Sequence, residues 1–352
     1  MNNIRIIALV DYKNKFGSKH FDNPYRSGMD KDLLSKLFEE HGYNIEFEYF
    51  HKVDLRNVEN YRGVYIIYTS SEDIGYHYKS YIEDIVFGLE QIGAILIPEY
   101  KHLRANNNKV FMEFLRTSLL QESDFYSKHF GSLKDLLLDI KNITYPVVLK
   151  TAEGASGTGV FLVKDENQLI KFIKKIKDYN YLKEDIKDFF RPYLHKGYQR
   201  ESRYRNKFII QPFIPNLKND WKVYVFGEKV YVFNRPIQKG RGIKASGGGY
   251  DNYFYGKEAN IPDGLIDFAQ HIFDKLQVPH ASLDIAYNGH SFYLIEFQTL
   301  YFGTAGIPYS NGHYKKQNNK WIFQEEKRNI EEVFVESYTW FLNDYYENPI
   351  RP

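Results

Sequence analysis

Pro146-Val147-Val148-Leu149-Lys150-Thr151-Ala152-Glu153-Gly154-Ala155-Ser156-Gly157-Thr158-Gly159-Val160-Phe161-Leu162-Val163 decides the reading of this chain. Val147–Lys150 and Val160–Val163 are short runs rich in β-branched residues, and each predicts a strand. The glycine-rich segment between them therefore joins strand to strand. A P-loop would end in Gly-Lys-Ser/Thr and open a helix, and a dinucleotide fingerprint also opens a helix. A glycine-rich hairpin can instead close over phosphates, offering backbone N–H groups where side chains would clash. Lys150 ends the preceding strand and brings an ammonium beside such phosphates. A protein kinase carries its glycine loop before its lysine and needs His-Arg-Asp and Asp-Phe-Gly. Here the order is reversed and both motifs are missing. Taken alone, the loop is equally readable as a surface hairpin with no ligand.

Upstream, strands and helices alternate. Ile4–Val10 is an unbroken apolar strand, followed by a polar loop over 11–27. Leu33, Leu34, Leu37 and Phe38 then give a helical stripe. Strands recur at Ile45–Tyr49 and Val64–Tyr68, a helix is expected from Ser70-Ser71-Glu72, and Ala94–Ile97 is another short strand. Alternation of this kind predicts a doubly wound parallel sheet, with ligands beyond the carboxyl ends of its strands. That points to the loops at 11–27 and 69–76. Residues 106–142 read as helices and connectors, and 181–205, charged and aromatic, take no assignment.

Downstream, Phe208–Gln211, Lys222–Phe226 and Lys229–Phe233 read as strands. Ala281–Ala286 and Ser291–Phe297 form a hairpin turned at Asn288-Gly289. Around that turn Asp284 and Glu296 are near cross-strand neighbours, and Glu296 and Gln298 share a face. Carboxylates directed into apolar surroundings need a cation, and two carboxylates plus an amide oxygen suit magnesium bound with nucleotide phosphates. The other reading is a solvated face of an amphipathic strand. A helix closes the chain over 334–346.

Composition excludes several classes. The 352 residues are 43% hydrophobic and 26% charged, a globular balance, and the length suits two or three domains. No cysteine is present, which removes disulfides, thiolate metal sites and cysteine nucleophiles. The net charge of +2, from 47 basic and 45 acidic residues, gives no electrostatic case for nucleic acid or membrane partners. No apolar run nears the roughly 20 residues of a bilayer span. Residues 4–10 are too short for a signal-peptide core, and a cytoplasmic location is expected. The oligomeric state is open. His271, His280 and His290 lack metal-ligand spacing.

Taken in order, these segments resemble the ATP-grasp family over most of residues 105–305. Lys109 resembles its first nucleotide lysine, and Pro146–Lys150 the strand whose lysine meets the α/β-phosphates. Gly154–Gly159, with Ser156 and Gly157, resembles the loop over the triphosphate. Ile209-Ile210-Gln211-Pro212-Phe213-Ile214 resembles the hinge that holds adenine. Asp220-Trp221-Lys222 resembles the next strand, where an acidic residue contacts ribose. Leu283-Asp284 and Leu294-Ile295-Glu296-Phe297-Gln298 resemble the magnesium strands. Gln298 departs from the family's usual Asn, which puts a second magnesium in question.

The resemblance implies an α/β (α+β) chain. A doubly wound parallel-sheet domain at 1–105 precedes a two-lobed ATP-grasp fold, its small lobe over 106–208 and its large lobe over 209–352. It implies ATP and Mg2+ as cofactors and a ligase that activates a carboxylate as an acyl phosphate and joins it to an amine. The partners are then small-molecule acids and amines: amino acids, peptides or sugar acids. Arg235 resembles the family's arginine for the acyl phosphate. Lys239, Arg241 and Lys244 follow in a glycine-containing loop; as a group they are candidates to assist it, although each singly reads as a solvated loop residue. A phosphotransferase acting on a hydroxyl, or a nucleotide-binding module without turnover, shares the same nucleotide motifs. The segment Thr299–Gly306 lies where acceptor contacts are expected, its aromatics equally suited to a core.

Overall fold

In β1 (Ile4–Val10), Ile6 to Val10 are buried on both faces, as a central parallel strand requires. The computed structural model describes residues 4–17, 19, 26–120, 125–154, 157, 159–176, 182–240 and 242–347. The chain divides into two compact units, one of Met1–Asn106, Leu217–Ile237 and Gly248–Pro352, the other of Asn107–Asn216 and Gln238–Gly247.

The first unit opens with β1, α1 (Lys31–Glu40), β2 (Tyr43–Tyr49), β3 (Tyr65–Tyr68), α2 (His77–Gln91), β4 (Ile95–Ile97) and α3 (Tyr100–Ala105). The strands form a parallel sheet in the order β2-β1-β3-β4. Ile6 and Ala8 pack with Leu34 and Phe38 of α1 on one face. Ile7 and Leu9 pack with Ile82, Val86 and Leu89 of α2 on the other, so the sheet is doubly wound as its sequence predicted. Leu34 is fully buried, and Leu34→Ala would remove about 2–5 kcal/mol. The start of α2 differs from the sequence expectation. Asp73 accepts from the backbone N–H groups of Tyr78 and Lys79 at 2.9 and 3.1 Å, after Gly75 and Tyr76 turn at positive φ. That carboxylate, not the serines at 70 and 71, satisfies the first turn.

The second unit holds α4 (Lys109–Leu120), β5 (Lys128–Ser132), α5 (Leu133–Asp139), β6 (Val147–Thr151), β7 (Val160–Val163), α6 (Glu166–Lys175), α7 (Leu182–Leu194) and β8 (Arg205–Pro212). Its antiparallel sheet runs β5-β8-β6-β7. Leu136, Leu149, Val163, Leu169, Phe208 and Ile210 fill the core beneath α5 and α6. Two elements here escaped the sequence. β5 is a short, polar edge strand, and α7 carries an apolar stripe at helical spacing, Ile186, Phe189, Phe190 and Tyr193, that faces outward and that the reading of 181–205 did not use.

The first unit resumes with β9 (Asn219–Phe226), β10 (Lys229–Pro236), β11 (Phe254–Tyr255), α8 (Leu265–Leu276), β12 (His280–Tyr287), β13 (Phe292–Gln298), α9 (Gly306–Tyr309), β14 (Gly312–Gln317), β15 (Lys320–Glu325) and α10 (Ile330–Glu347). Antiparallel pairing orders them β13-β12-β9-β10-β14-β15, with β11 on β10. α8 packs on β9 and β12. Strand periodicity divides the other sheet face into two regions. Phe226 and Tyr224 of β9, and Tyr231 and Phe233 of β10, join Ile330, Phe334 and Tyr338 of α10 in an apolar core. Further along the same face stand Lys222 and Asp220 of β9, and Arg235 of β10.

Candidate active site

In the second unit, Lys109 opens α4 and is tied to the glycine loop. Its backbone N–H donates to Ala152 O at 2.8 Å and its Nζ to Gly154 O at 3.0 Å. Lys150, nearly buried on β6, stands between Val160 of β7 and Ile209 of β8 in the register. Thr151 N–H donates to Gly159 O at 3.0 Å and closes the base of the hairpin. Gly159 has φ +75°, and a Cβ there would lie 2.1 Å from Thr151 Oγ1, so the crossing requires glycine. Ser156 lies outside the described residues, as does Arg241. The returning segment Gln238–Gly247 belongs to this unit. Lys244 packs beside Gly157, with its Nζ 5.8 Å from the Phe161 ring centroid, while Lys239 is exposed.

Gln211, on β8, is buried, and Phe213 and Ile214 follow half-buried. Gln211 Nε2 donates to Glu113 Oε1 at 3.0 Å, and Arg116 donates to Glu113 Oε2 at 2.7 Å through Nη2. Arg116 also donates to Phe125 O. The sequence reading missed Glu113 and Arg116. Their three-residue spacing, on the same helix face as Lys109 and Met112, was the available signal.

In the first unit, charge gathers on one sheet face. Asp284 of β12 lies opposite Glu296 of β13 and opposite Lys222 of β9. Asn288 accepts from the N–H groups of His290 and Ser291 at the turn, which sets Tyr287 opposite Phe292, and a bulge between Asp284 and Ile285 then brings Glu296, not Ile295, opposite Asp284. Gln298, two residues beyond Glu296, faces the same side. Lys222 Nζ meets Asp284 Oδ1 at 2.9 Å, and Arg235 Nη2 meets Asp284 Oδ2 at 2.9 Å. Arg235 also holds Asp220 in a bidentate pair at 2.6 and 2.8 Å. Burial disfavours charge on Asp284, but Arg235 and Lys222 outweigh it and hold the carboxyl well below its usual range. Burial likewise opposes the Arg235 charge, and Asp220 with Asp284 more than restores it. The sequence reading put Asp220 at a ribose; here both its oxygens accept from Arg235.

Among the described residues no group of three or more His, Asp or Glu side chains forms a complete metal cage. The donor set Asp284, Glu296 and Gln298, on one face, still fits a hard cation that draws further oxygens from phosphates. Among the described residues no helix is long and apolar enough to cross a membrane.

No protein-family model matches the chain, and no curated protein does. Solved structures do. A RimK-domain ATP-grasp protein from Sphaerobacter thermophilus is similar with TM-score 0.52 at 13% identity, over 95% of this chain and 98% of that one. N5-carboxyaminoimidazole synthetase from Staphylococcus aureus, complexed with ADP, gives TM-score 0.54 at 10% identity, over 96% and 79%. D-cycloserine synthetase gives TM-score 0.51 at 10% identity, over 95% and 98%. At these identities the likeness is one of fold: the chain has the ATP-grasp fold.

Proposed function

We propose that the protein is an ATP-dependent carboxylate–amine ligase. The observation that carries this reading is the charged face on which Arg235 and Lys222 converge on Asp284, opposite Glu296. Cations and carboxylates brought together on a sheet face suit a reaction whose difficulty is phosphate charge.

In this reading the second unit takes the nucleotide. Lys109 and Lys150 neutralise phosphates, Gly154, Gly157 and Gly159 let the backbone approach them, and Gln211, Phe213 and Ile214 hold the base. In the first unit Asp284, Glu296 and Gln298 would hold magnesium, which when bound supplies neutralising charge at the phosphates. Arg235 orients the reacting carboxylate, itself held by Asp220. The substrate carboxylate oxygen attacks the γ-phosphorus, forming an acyl phosphate as ADP leaves. The amine nitrogen then attacks the acyl carbon, phosphate leaves with the bonding pair, and the nitrogen loses a proton. Arg235 suits the oxyanion that forms at that carbon, since a buried guanidinium needs no reorganisation there. Lys239 and Arg241 assist from the loop that follows.

The test is to incubate the protein with Mg-ATP, candidate acids and amines, and to measure ADP, phosphate and the condensed product. ADP, phosphate and an amide meet the expectation. ADP with a phosphorylated acceptor would make the protein a kinase, and no turnover would make it a nucleotide-binding module.

A further inference from the structure

Helix α7 of the second unit carries five large apolar side chains that the fold leaves uncovered. Ile186, Phe189, Phe190, Tyr193 and Leu194 are between 50% and 74% exposed. They recur at i, i+3, i+4, i+7 and i+8, so they share one helix face. Their rings gather: Phe189 meets Phe190 at 5.3 Å and Tyr193 at 6.3 Å between centroids. An aromatic side chain carries roughly 150–250 Å2 of buriable surface, so a face this exposed presents on the order of 500 Å2. A patch of that size on a folded chain marks an interaction site.

The opposite face of α7 is accounted for. Asp185 pairs with Arg203 at 3.3 Å, and Asp188 accepts from the Tyr198 hydroxyl at 2.5 Å, so the segment returning from the helix covers that side. What borders the apolar face is basic. Along one edge stand Lys183 and Lys187, both exposed, seven and three residues before Phe190. Lys187 reaches Glu184 at 2.6 Å and still keeps most of its side chain in solvent. Along the other edge the Arg200 guanidinium lies 4.5 Å over the Phe189 ring centroid, and its Nη2 donates to Phe189 O at 3.0 Å. Residues 182–205 hold seven Lys or Arg against four Asp or Glu, a local excess that the whole chain's net +2 conceals.

An apolar face with basic edges suits a helix lying in the plane of an anionic bilayer, its rings among the acyl chains and its lysine stems reaching out to the headgroups. It does not suit a second copy of the chain. Packed antiparallel, each edge would meet its own counterpart; packed parallel, the lysine edge would meet the Arg200 edge. Both bring like charges together.

We propose that α7 docks the protein on a membrane surface rich in anionic lipid. The proposal is independent of the ligase reading, since no residue of α7 belongs to the charged sheet face or to the groups assigned to the nucleotide.

Co-sedimentation of the full chain with vesicles tests it, one set of phosphatidylcholine alone and one of phosphatidylcholine and phosphatidylglycerol in equal parts. Binding to the anionic vesicles is expected to be at least about tenfold tighter, and weaker at high salt. Lys183→Gln and Lys187→Gln should each weaken it by about fivefold, the value of one basic side chain at such a surface. Phe190→Ser combined with Leu194→Ser should weaken it by at least about tenfold through lost apolar burial. Both side chains are exposed, so the urea midpoint of this double variant should match that of the unaltered protein. No binding to either vesicle, equal binding to both, or binding that the double variant leaves unchanged would overturn the proposal. So would sedimentation equilibrium without lipid that shows a dimer broken by the double variant, which would give the face to a second copy.

Discussion

Gln211 donates its side-chain amide to Glu113 at 3.0 Å, and this contact fixes which end of the amide faces away from the helix. A carboxylate only accepts, and Arg116 already donates to its other oxygen. The Gln211 NH2 must therefore face Glu113, which leaves Oε1 as an acceptor. Adenine offers an amino donor at its 6-position, where guanine offers an oxo acceptor. ATP is thus expected to bind better than GTP. Glu113→Gln, which can donate as well as accept, should let the amide turn and shrink that preference by about tenfold. Competition binding of the two nucleotides checks it; an unchanged ratio in a folded variant would detach Glu113 from base selection.

Lys150→Ala should weaken Mg-ATP by about ten- to a hundredfold, the value of a charge-assisted contact to phosphate, with the fold intact. Unchanged ATP affinity would remove Lys150 from the nucleotide site.

Glu296→Gln should lose about a hundredfold or more in turnover at any magnesium concentration, since even the partners behind metal ligands are worth about 10–100-fold. Gln298→Asn should keep much of the activity with an altered magnesium requirement, and Gln298→Leu should be worse. ADP release against magnesium concentration compares the three. If Gln298→Leu matches wild type while Glu296→Gln is dead, the two carboxylates hold the metal without Gln298.

Gly159→Ala should destabilise the second unit by at least about 1–2 kcal/mol, from the left-handed backbone alone. The contact with Thr151 Oγ1 adds to this. Thr151→Ala should recover the contact but not the backbone strain, so the double-mutant cycle in urea reads a coupling. Additive effects would place the cost wholly in the backbone.

Two buried histidines, His102 and His280, are pushed by burial from 6.5 to about 3. Between those values the unfolded chain binds protons that the folded chain refuses. Stability is therefore present above about pH 6.5 and falls as pH drops toward 3, by about 1.4 kcal/mol per pH unit for each ring. Urea unfolding at several pH values is expected to show this slope, and His102→Leu to reduce it by about one ring's share. An unaltered slope would mean that His102 titrates normally in the folded protein.

The sequence made the parallel sheet and the central antiparallel strands legible, and it set Asp284 near Glu296, because strand alternation and the Asn288-Gly289 turn are local signals; the bulge that brings the two opposite, and strands β5, β11, β14 and β15, carried no such signal. It could not show that Arg235 grips Asp220 and Asp284 together. Asp220 pairs with Arg235 within the β9–β10 hairpin, but the bridge to Asp284 depends on β12, where Lys222 pairs with Asp284 across strands far apart in the chain. Glu113 and Arg116 were hidden for the opposite reason: charged residues on a helix read as solvated until burial is known. α7 was legible in its i, i+3, i+4, i+7 stripe Ile186, Phe189, Phe190 and Tyr193, but the dense charges around it masked that period, and only the structure shows the stripe facing outward.

Lys244 beside Gly157 carries a consequence for how the protein is made. The ribosome delivers residues 1–106 of the first unit, then 107–216 of the second, then β9 and β10 of the first, and only afterwards the ten residues from Gln238 to Gly247 that complete the second unit. That unit cannot finish as an independent folding event during synthesis. Its glycine loop waits, with one flank uncovered, until β9 and β10 of its neighbour have also emerged, so the two units mature as interleaved steps and not as beads on a string.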